Sequence, residues 1–238
     1  RHQFLEQCGV TLAERSKKKL LGHGLETLRG LVMTTNAILN SRTGAVNALS
    51  VRQPPQEIME FFAVLDARHS IRAFAPTPVD KDKLDAILAA ANGAPSALNA
   101  QSYEIYIAQG REQAAAIAAA TWNQTFVGQA PVVLIFCSNP SRSEDQLGAE
   151  GARTFALQDA AIACTFAMLA ATAQSLATVW VGAFDPAAVA RLIGAPAGVI
   201  PVAILPVGYA AQPHEPTTRR TLSDLVHSIS PAPSPPSL

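Results

Sequence analysis

Apolar positions recur along this chain with two spacings, one typical of helices and one typical of strands. The stretch "TPVDKDKLDAILAAAN" has helical spacing, with Asp80 placed to cap its start and Gly93 to close it, and predicts a helix near 81–92. The stretch "FALQDAAIACTFAMLAATAQSLA" (155–177) is apolar almost all round, which predicts a helix buried on most of its faces.

Short runs rich in β-branched and aromatic residues alternate with these helices. The alanine-rich "REQAAAIAAAT" and the Asp-Pro-led "DPAAVARLIG" predict two more helices. Because helices and strands interleave without a strict βαβ repeat, the pattern predicts an α+β fold with a mixed or antiparallel central sheet wrapped by helices. The predicted strands are "YEIYIAQ" (103–109), "PVVLIFCS" (131–138), "TVWVGAF" (178–184) and "PVAILPVGYA" (201–210).

The two ends of the chain differ in composition from its middle. Residues 1–58 are interpreted as an N-terminal extension of unknown role, in which leucines at helical spacing are interrupted by Gly22 and Gly24. The sequence begins with Arg1, and Met33 is a possible natural start. Residues 59–229 form the predicted folded domain. The Pro/Ser-rich segment 230–238 cannot build a helix or a central strand and is predicted to be a tail.

Composition narrows the class of protein. With 49% apolar residues, 15% charged residues and a formal net charge of zero, the chain can bury a sizeable core and has no basic field that would gather nucleic acid. No run of 18 uncharged apolar residues and no secretion signal is present, so we expect neither a membrane span nor export. The three scattered cysteines indicate no disulfide framework, and a reducing cytoplasm is the expected compartment.

The common catalytic motifs are missing from the sequence. No G-x-G-x-x-G follows a predicted strand, and there is no P-loop, H-E-x-x-H, C-x-x-C or G-x-S-x-G pattern. The five histidines are dispersed, without metal-ligand spacing, so no metal site is expected. These absences remove Rossmann, P-loop, zinc-hydrolase, thiol-redox and α/β-hydrolase chemistry from consideration.

One polar cluster is not explained by packing. In "RHSIRAF", an extended segment would place Arg68, Ser70 and Arg72 on one face and turn His69 to the other. Two guanidinium groups and a hydroxyl on one face suit a phosphate or the edge of a flavin, because arginine binds phosphate oxygens bidentately. A solvated strip of surface salt bridges is the alternative, and the sequence alone leaves both open.

Five motifs in order extend this picture. "RHSIRAF", "APSALNAQSYE", "ALQDAAIA", "TVWVGAF" and "PVGYA" with a terminal "RRTL" resemble the FMN-dependent nitroreductase family over roughly residues 60–227. The resemblance implies an α+β fold, an intertwined homodimer, and FMN held at the dimer interface. From charge and hydropathy, we expect neither nucleic acid nor a membrane as a partner.

The resemblance also implies roles for particular residues. Arg68 and Ser70, with His69 between them, match the segment that binds the FMN phosphate, and Arg72 matches the cation beside the flavin's pyrimidine edge. Either Arg219 or its neighbour Arg220 matches the C-terminal arginine that returns to the phosphate. Further flavin contacts are implied for Pro95, Ser96 and Asn99, from the partner subunit, and for the backbone amides of Val181, Gly182 and Ala183, which face N5 and O4.

The loop after "APSALN" departs from the family pattern. The family commonly continues Asn-x-Gln-Pro-Trp, whereas this chain has "NAQSY", so that Ser102 and Tyr103 stand at the proline and tryptophan positions. The departure bears on the local backbone shape and on the aromatic contact, although tyrosine keeps the bulk of the side chain.

The function implied is hydride transfer from NADH or NADPH, through the flavin, to a nitroaromatic, quinone or enone. No acid or base is implied as a catalytic residue, since the flavin carries the chemistry and the protein positions the reactants. The alternatives are another activity on the same scaffold, namely reductive dehalogenation, azoline oxidation or flavin fragmentation, or a catalytically idle flavin-binding dimer. The sequence leaves the acceptor and the choice between NADH and NADPH open.

Overall fold

The computed structural model describes residues 60–214 and 217–229. The predicted N-terminal extension 1–58 and the predicted Pro/Ser-rich tail 230–238 lie outside the described residues. The described part forms the α+β fold predicted from the sequence, a central sheet between two layers of helices. Its elements in chain order are α1 (Phe61–Ala67), α2 (Lys81–Asn92), β1 (Tyr103–Gln109), α3 (Arg111–Ala119), β2 (Val132–Ser138), α4 (Glu144–Ala173), β3 (Ala177–Thr178), α5 (Pro186–Leu192), β4 (Ile200–Gly208) and α6 (Leu222–Leu225).

The sheet is antiparallel throughout, with strand order β1-β2-β4-β3. Its central strand, β2, is buried along its whole length, and its side chains alternate between two cores as the two-residue period of a strand requires. Leu134 and Phe136 join the core formed with α2 and α4. Val133 and Ile135 join the core on the opposite face, formed with α3 and α5.

Helix α4 lies flat on the sheet because its inner face is made of small side chains. Six alanines at three- and four-residue spacing are fully buried along it, and small side chains permit close approach of helix and sheet. These are Ala152, Ala156, Ala160, Ala163, Ala167 and Ala171.

The rest of α4 differs from the sequence prediction. We expected burial on most faces of this helix, but Phe155, Leu157 and Phe166 remain exposed in the single chain. By length and composition α4 is also the one described helix able to cross a membrane. Its buried face nevertheless packs in the protein core and includes the carboxylate of Asp159, as in the core helix of a globular domain.

The predicted strand over 178–184 is mostly wrong. Only Ala177–Thr178 form a strand there, and a single bridge joins Val181 to Ile204 further along. The side chains of Val181 and Phe184 are buried, whereas Gly182 and Ala183 are exposed and leave the sheet. The residue types favour a strand, but the segment turns away at the sheet edge to begin α5, where Asp185 caps the helix through the N–H groups of Ala187 and Ala188.

The end of β4 packs closely against the segment that follows the "RHSIRA" cluster. A Cβ added to Gly208 would lie 2.7 Å from Cδ of Pro131 and 3.2 Å from Cδ1 of Phe74. Both neighbours are constrained, the proline by its ring and Phe74 by its burial. Glycine at this position therefore allows β4 to approach the two residues.

We predict that Gly208→Ala destabilises the folded domain by about 1 to 3 kcal/mol, because the added methyl group overpacks a rigid contact. Gly93→Ala is the matched control. Gly93 has a φ of −78°, and its added Cβ would approach Ala90 O no closer than 3.4 Å, so that this variant should be neutral or slightly stabilising. Urea unfolding of both variants measures the difference. Equal midpoints for the two variants would contradict the packing argument.

Candidate functional site

Two distant stretches of sequence form a short antiparallel ribbon beside the cationic cluster. The N–H of Ala75 donates to Tyr209 O at 2.8 Å, and the N–H of Ala211 donates to Ala73 O at 2.9 Å. On its other side, the cluster meets β3, where the N–H of Ile71 donates to Thr178 O at 3.0 Å. The "RHSIRA" segment is thus held between β3 and the C-terminal segment.

This arrangement leaves a cleft of about 590 Å³. Its walls carry three guanidinium groups and two hydroxyl groups, and no described carboxylate is among its lining residues. None of the three arginines forms a salt bridge with a described residue. The lining residues are Arg68, His69, Ser70, Ile71, Arg72 and Ala73 from the first stretch and Gln212, Pro213, His214, Thr217 and Arg219 from the second.

The same geometry separates the two C-terminal arginines. Arg219 lines the cleft and is oriented by Thr217, whose hydroxyl accepts a hydrogen bond from its Nη1 at 2.9 Å. Arg220 donates to Oδ2 of Asp224 at 2.6 Å and to its backbone carbonyl at 2.7 Å. Of the pair that the sequence left open, Arg219 is therefore the one that the fold places in the cleft.

The expectation that His69 turns away from the arginines is wrong. Its ring stacks on that of His214, with centroids 3.5 Å apart and an interplanar angle of 14°, on the wall of the same cleft. Partial burial, followed by the nearby His214 and Arg68, lowers the pKa of His69. The strand period predicted the opposite face because it does not include the C-terminal segment, which supplies the stacking partner.

The donor set suits a phosphate group. Guanidinium forks and hydroxyls satisfy phosphate oxygens, and their charge has no described carboxylate to neutralise it. A metal ion is not suited to this chemistry, and no cluster of three or more histidine, cysteine or acidic side chains occurs in the described part of the chain. The surface salt-bridge strip considered from the sequence does not form among the described residues.

A second candidate element is the loop over 95–102, which follows α2. Leu98, Asn99 and Gln101 have positive φ angles of 53°, 55° and 50°. Left-handed backbone costs free energy in residues other than glycine, so the surrounding structure has to hold it. Pro95 and Asn99 are exposed here, and Ser96 is half-buried, with its Oγ accepting from the N–H of Gln101 at 3.1 Å.

The buried carboxylate of Asp159 holds this loop from α4. Its two oxygens accept from the N–H of Ala97 at 3.0 Å and from the N–H of Ser102 at 3.2 Å. The second bond depends on the departure from the family pattern, because a proline at position 102 has no N–H to donate. The buried Ser102 hydroxyl also donates to Oγ of Ser143 at 3.0 Å, so both the N–H and the side chain of Ser102 have hydrogen-bond partners.

Tyr103, at the tryptophan position of the family pattern, is also buried. Its hydroxyl donates to Ala91 O at 3.0 Å, and burial, followed by the nearby Asp159, raises the pKa of the phenol. Its ring joins the core between α2 and the sheet. The tyrosine therefore keeps the bulk of the tryptophan and anchors the end of α2.

The third element is the sheet edge at 181–183. The N–H of Val181 already donates to Ile204 O at 2.9 Å, so the ligand-facing amide predicted for Val181 does not fit this structure. Gly182 and Ala183 are exposed, and their N–H groups have no backbone acceptor among the described residues. A Cβ on Gly182 would lie 3.3 Å from Nε1 of Trp180, so the space beside this glycine is partly filled by the indole.

One chain brings together only part of the predicted site. The cleft unites the "RHSIRA" segment with Arg219, but Pro95, Ser96 and Asn99 do not line it. Sequence reasoning missed Gln212, His214 and Thr217, which carry no motif and enter the cleft only through the ribbon. It also missed Asp159, although a lone acid in an otherwise apolar helix, "FALQDAAIA", was a usable signal.

Comparisons with known proteins agree with this architecture. The family model described as the nitroreductase family matches residues 65–125 and 112–209. An NAD(P)H-dependent FMN reductase of Bacillus subtilis is 31% identical to this chain. The aligned part covers 64% of this chain and 66% of that relative. An NADH dehydrogenase of Thermus thermophilus is 29% identical over 68% of this chain and 96% of the relative.

Solved structures of the same fold also match. The structure of NfrA2 from B. megaterium has a TM-score of 0.65 and 26% identity, covering 70% of this chain and 73% of its own. Nitroreductase A from Vibrio parahaemolyticus shares the fold, with a TM-score of 0.65 and 24% identity over 71% of this chain and 74% of its own. The family model covers more than half of this chain, and the order of motifs and the antiparallel sheet of the chain are consistent with that match. This chain therefore belongs to the nitroreductase family.

Proposed function

We propose that this chain is an FMN-dependent oxidoreductase that transfers hydride from NADH or NADPH to a flat, electron-poor acceptor, such as a nitroaromatic, a quinone or an enone. The observation that carries the proposal is the cleft with three guanidinium groups and no described carboxylate on its walls. The names of two relatives, an NAD(P)H-dependent FMN reductase and an NADH dehydrogenase, support the same class of reaction.

The cleft residues divide into two roles. Arg68, Ser70 and Arg219 hold the phosphate of FMN, since their forks and hydroxyl can satisfy its oxygens together. Arg72 lies beside the pyrimidine edge of the flavin, where a fixed cation favours electron uptake. When bound, FMN supplies the redox chemistry at N5, and the N–H groups of Gly182 and Ala183 orient that edge of the ring.

No side chain of the chain is assigned as a catalytic acid or base. The guanidinium groups and hydroxyls of the cleft orient and polarise rather than exchange protons near neutral pH. Its two histidines, His69 and His214, stack on each other and have no proton-transfer role in this proposal. Rate enhancement then comes from placing donor and acceptor in turn against a held ring. This agrees with the absence of the common catalytic motifs from the sequence.

The functional unit in this proposal is a homodimer. Helices α1 and α4 pack together, and both expose apolar side chains. These include Phe61, Phe62, Phe155 and Phe166. Exposed apolar surface of this kind is covered in a stable assembly. The loop over 95–102 does not line the cleft of its own chain, so in the dimer Pro95, Ser96 and Asn99 reach the flavin of the partner subunit.

We assign the protein to the cytoplasm within the same proposal. Cys137 and Cys164 are free, buried thiols, and burial raises the pKa of Cys137 to about 12 and that of Cys164 still higher. Buried protonated thiols act as small apolar side chains and suit a reducing compartment.

Purified protein supplemented with FMN tests the whole proposal. We expect stoichiometric retention of flavin through gel filtration, and oxidation of NADH or NADPH that depends on added menadione or a nitroaromatic. The retained flavin is identified after heat extraction, and activity is followed by the absorbance of the nicotinamide. Retention without turnover with any acceptor would favour the idle flavin-binding dimer, and absence of retention would remove the proposal altogether.

Arg68→Ala is predicted to weaken FMN binding by about 2 to 3 kcal/mol, because the phosphate loses a charge-assisted fork in a partly enclosed cleft. Arg68→Lys should recover only part of the loss, since an ammonium does not reproduce the fork. Arg220→Ala is the matched control, an arginine paired with Asp224 outside the cleft. Fluorescence titration of apoprotein with FMN measures all three, and equal affinities for Arg68→Ala and Arg220→Ala would contradict the assignment.

Shared sites in the dimer predict complementation. A Ser96→Ala/Asn99→Ala variant and an Arg68→Ala variant are each expected to lose activity, but a mixed dimer contains one site with both sets of residues intact. Each mixed dimer should therefore have about half of a wild-type dimer's activity, and a fully exchanged equimolar mixture, in which about half of the dimers are mixed, should recover about a quarter. Mass spectrometry of differently tagged chains verifies the exchange. No recovery despite confirmed exchange would show that each site is built within one subunit.

A further inference from the structure

The exposed amides of Gly182 and Ala183 lie between two buried anchors. Val181 is fixed by reciprocal hydrogen bonds with Ile204, N–H to O at 2.9 Å and O to N–H at 3.0 Å. Phe184 is buried in the core beneath the sheet. The N–H of Gly182 shares a planar peptide unit with Val181 O, so it is fixed with that carbonyl. The next peptide unit carries the N–H of Ala183, and the Val181 anchor does not fix it, because Gly182 lacks a Cβ and is free to adopt many backbone conformations.

One side chain from another part of the chain contacts this segment directly. The carboxamide nitrogen of Gln124 donates to Ala183 O at 2.6 Å and to Thr121 O at 2.9 Å. A primary amide has two hydrogens on its nitrogen, and both are used here. Gln124 therefore ties the exposed pair to the turn that follows α3.

That turn is itself firmly connected to the same segment. The N–H of Asp185 donates to Ala120 O at 2.9 Å, on the other side of Ala183 from the Val181 bridge. Within the turn, Trp122 and Asn123 have positive φ angles of 47° and 67°, a conformation that bulky residues adopt only when their surroundings impose it. The hydroxyl of Thr121 closes the turn by donating to Ala118 O at 2.6 Å.

We propose that Gln124 is a positioning residue for the flavin, which sets the orientation of the Ala183 amide toward its N5 and O4 edge. The inference rests on the proposed function, because it assigns the ligand of that amide to FMN. Gln124 holds the peptide unit between Ala183 and Phe184 through its carbonyl, and Ile204 holds the peptide unit between Val181 and Gly182. The peptide unit between them, which carries the N–H of Ala183, is thereby confined, and removing the Gln124 tether leaves this donor present but poorly aligned.

A positioning role and a purely structural role of Gln124 predict different effects on folding, on FMN affinity and on the rate of flavin reduction. The two hydrogen bonds of Gln124 are an exposed one to Ala183 and a partly buried one to Thr121, and each contributes little to folding, so the domain should remain folded without them. Misplacement of aligned groups by about 1 Å can cost up to 10²-fold in rate. The phosphate cleft contains neither Gln124 nor its partners, so flavin affinity should be less sensitive than reduction of the flavin.

Three variants of Gln124 and one control test the proposal in FMN-loaded protein. Gln124→Met keeps the length without a donor, Gln124→Glu turns an acceptor toward two carbonyls, and Gln124→Lys restores a donor. Gln113→Met is the matched control, because Gln113 also hydrogen-bonds the backbone through its carboxamide, accepting from the N–H of Gln109 at 2.8 Å, but it lies on α3 away from Ala183. Each is characterised by FMN titration, by single-turnover reduction with NADH or NADPH, and by the amide proton shift of Ala183 in ¹⁵N-alanine-labelled protein.

For Gln124→Met we expect reduction to slow by about tenfold, with a loss of FMN affinity of no more than about fivefold. The change in the Ala183 amide shift on FMN addition should shrink in this variant and in Gln124→Glu. Gln124→Lys should recover part of the rate, and Gln113→Met should match the wild type in all three measurements.

Two outcomes would overturn the inference while leaving the proposed function intact. The first is a Gln124→Met protein that is reduced at the wild-type rate with an unchanged Ala183 shift. The second is a parallel loss of affinity and rate, which would make Gln124 a general support of the fold. A wild-type protein that neither retains FMN nor shows any amide shift would instead remove the proposed function itself.

Discussion

The close packing of α4 on the sheet is the constraint from which the rest of the domain follows. Its stripe of buried alanines allows the helix backbone to approach β2 and β4, and α2 then packs against the same helix. A larger side chain in this stripe would separate the layers. Because α4 lies so close, the carboxylate of Asp159 reaches the loop over 95–102 and holds it by two backbone N–H groups.

The proposed flavin site depends on backbone geometry at least as much as on side chains. The cleft exists because the C-terminal segment pairs with residues 73–75, which brings Arg219 and His214 beside Arg68. Gly182 and Ala183 offer their N–H groups only because the segment leaves the sheet after Val181. In both places, hydrogen bonds between segments far apart in sequence decide which polar groups remain available to a ligand.

Local patterns predicted most of the secondary structure because each depends on residues close together in the chain. The predicted β1 and α2 have the bounds found in the structure, and Asp185 caps α5 as its position before Pro186 suggested. The predicted strand over 178–184 is mostly wrong, because sheet pairing at an edge is decided by the partner strand and not by residue type. His69 was placed on the wrong face for a similar reason, because its stacking partner lies in the C-terminal segment.

The sequence by itself determined the class of fold, the position of the cationic cluster and the family resemblance, because these reside in short runs of residues whose spacing is fixed by covalent geometry. Only the tertiary structure decided that Arg219 rather than Arg220 lines the cleft. It also decided that the N–H of Val181 is already bonded to Ile204, and that Gln124 donates to Ala183 O. Each of these depends on which of several equivalent donors finds a partner from a remote segment. That choice is made by packing, which brings the remote segments within hydrogen-bond distance, and local sequence does not encode it.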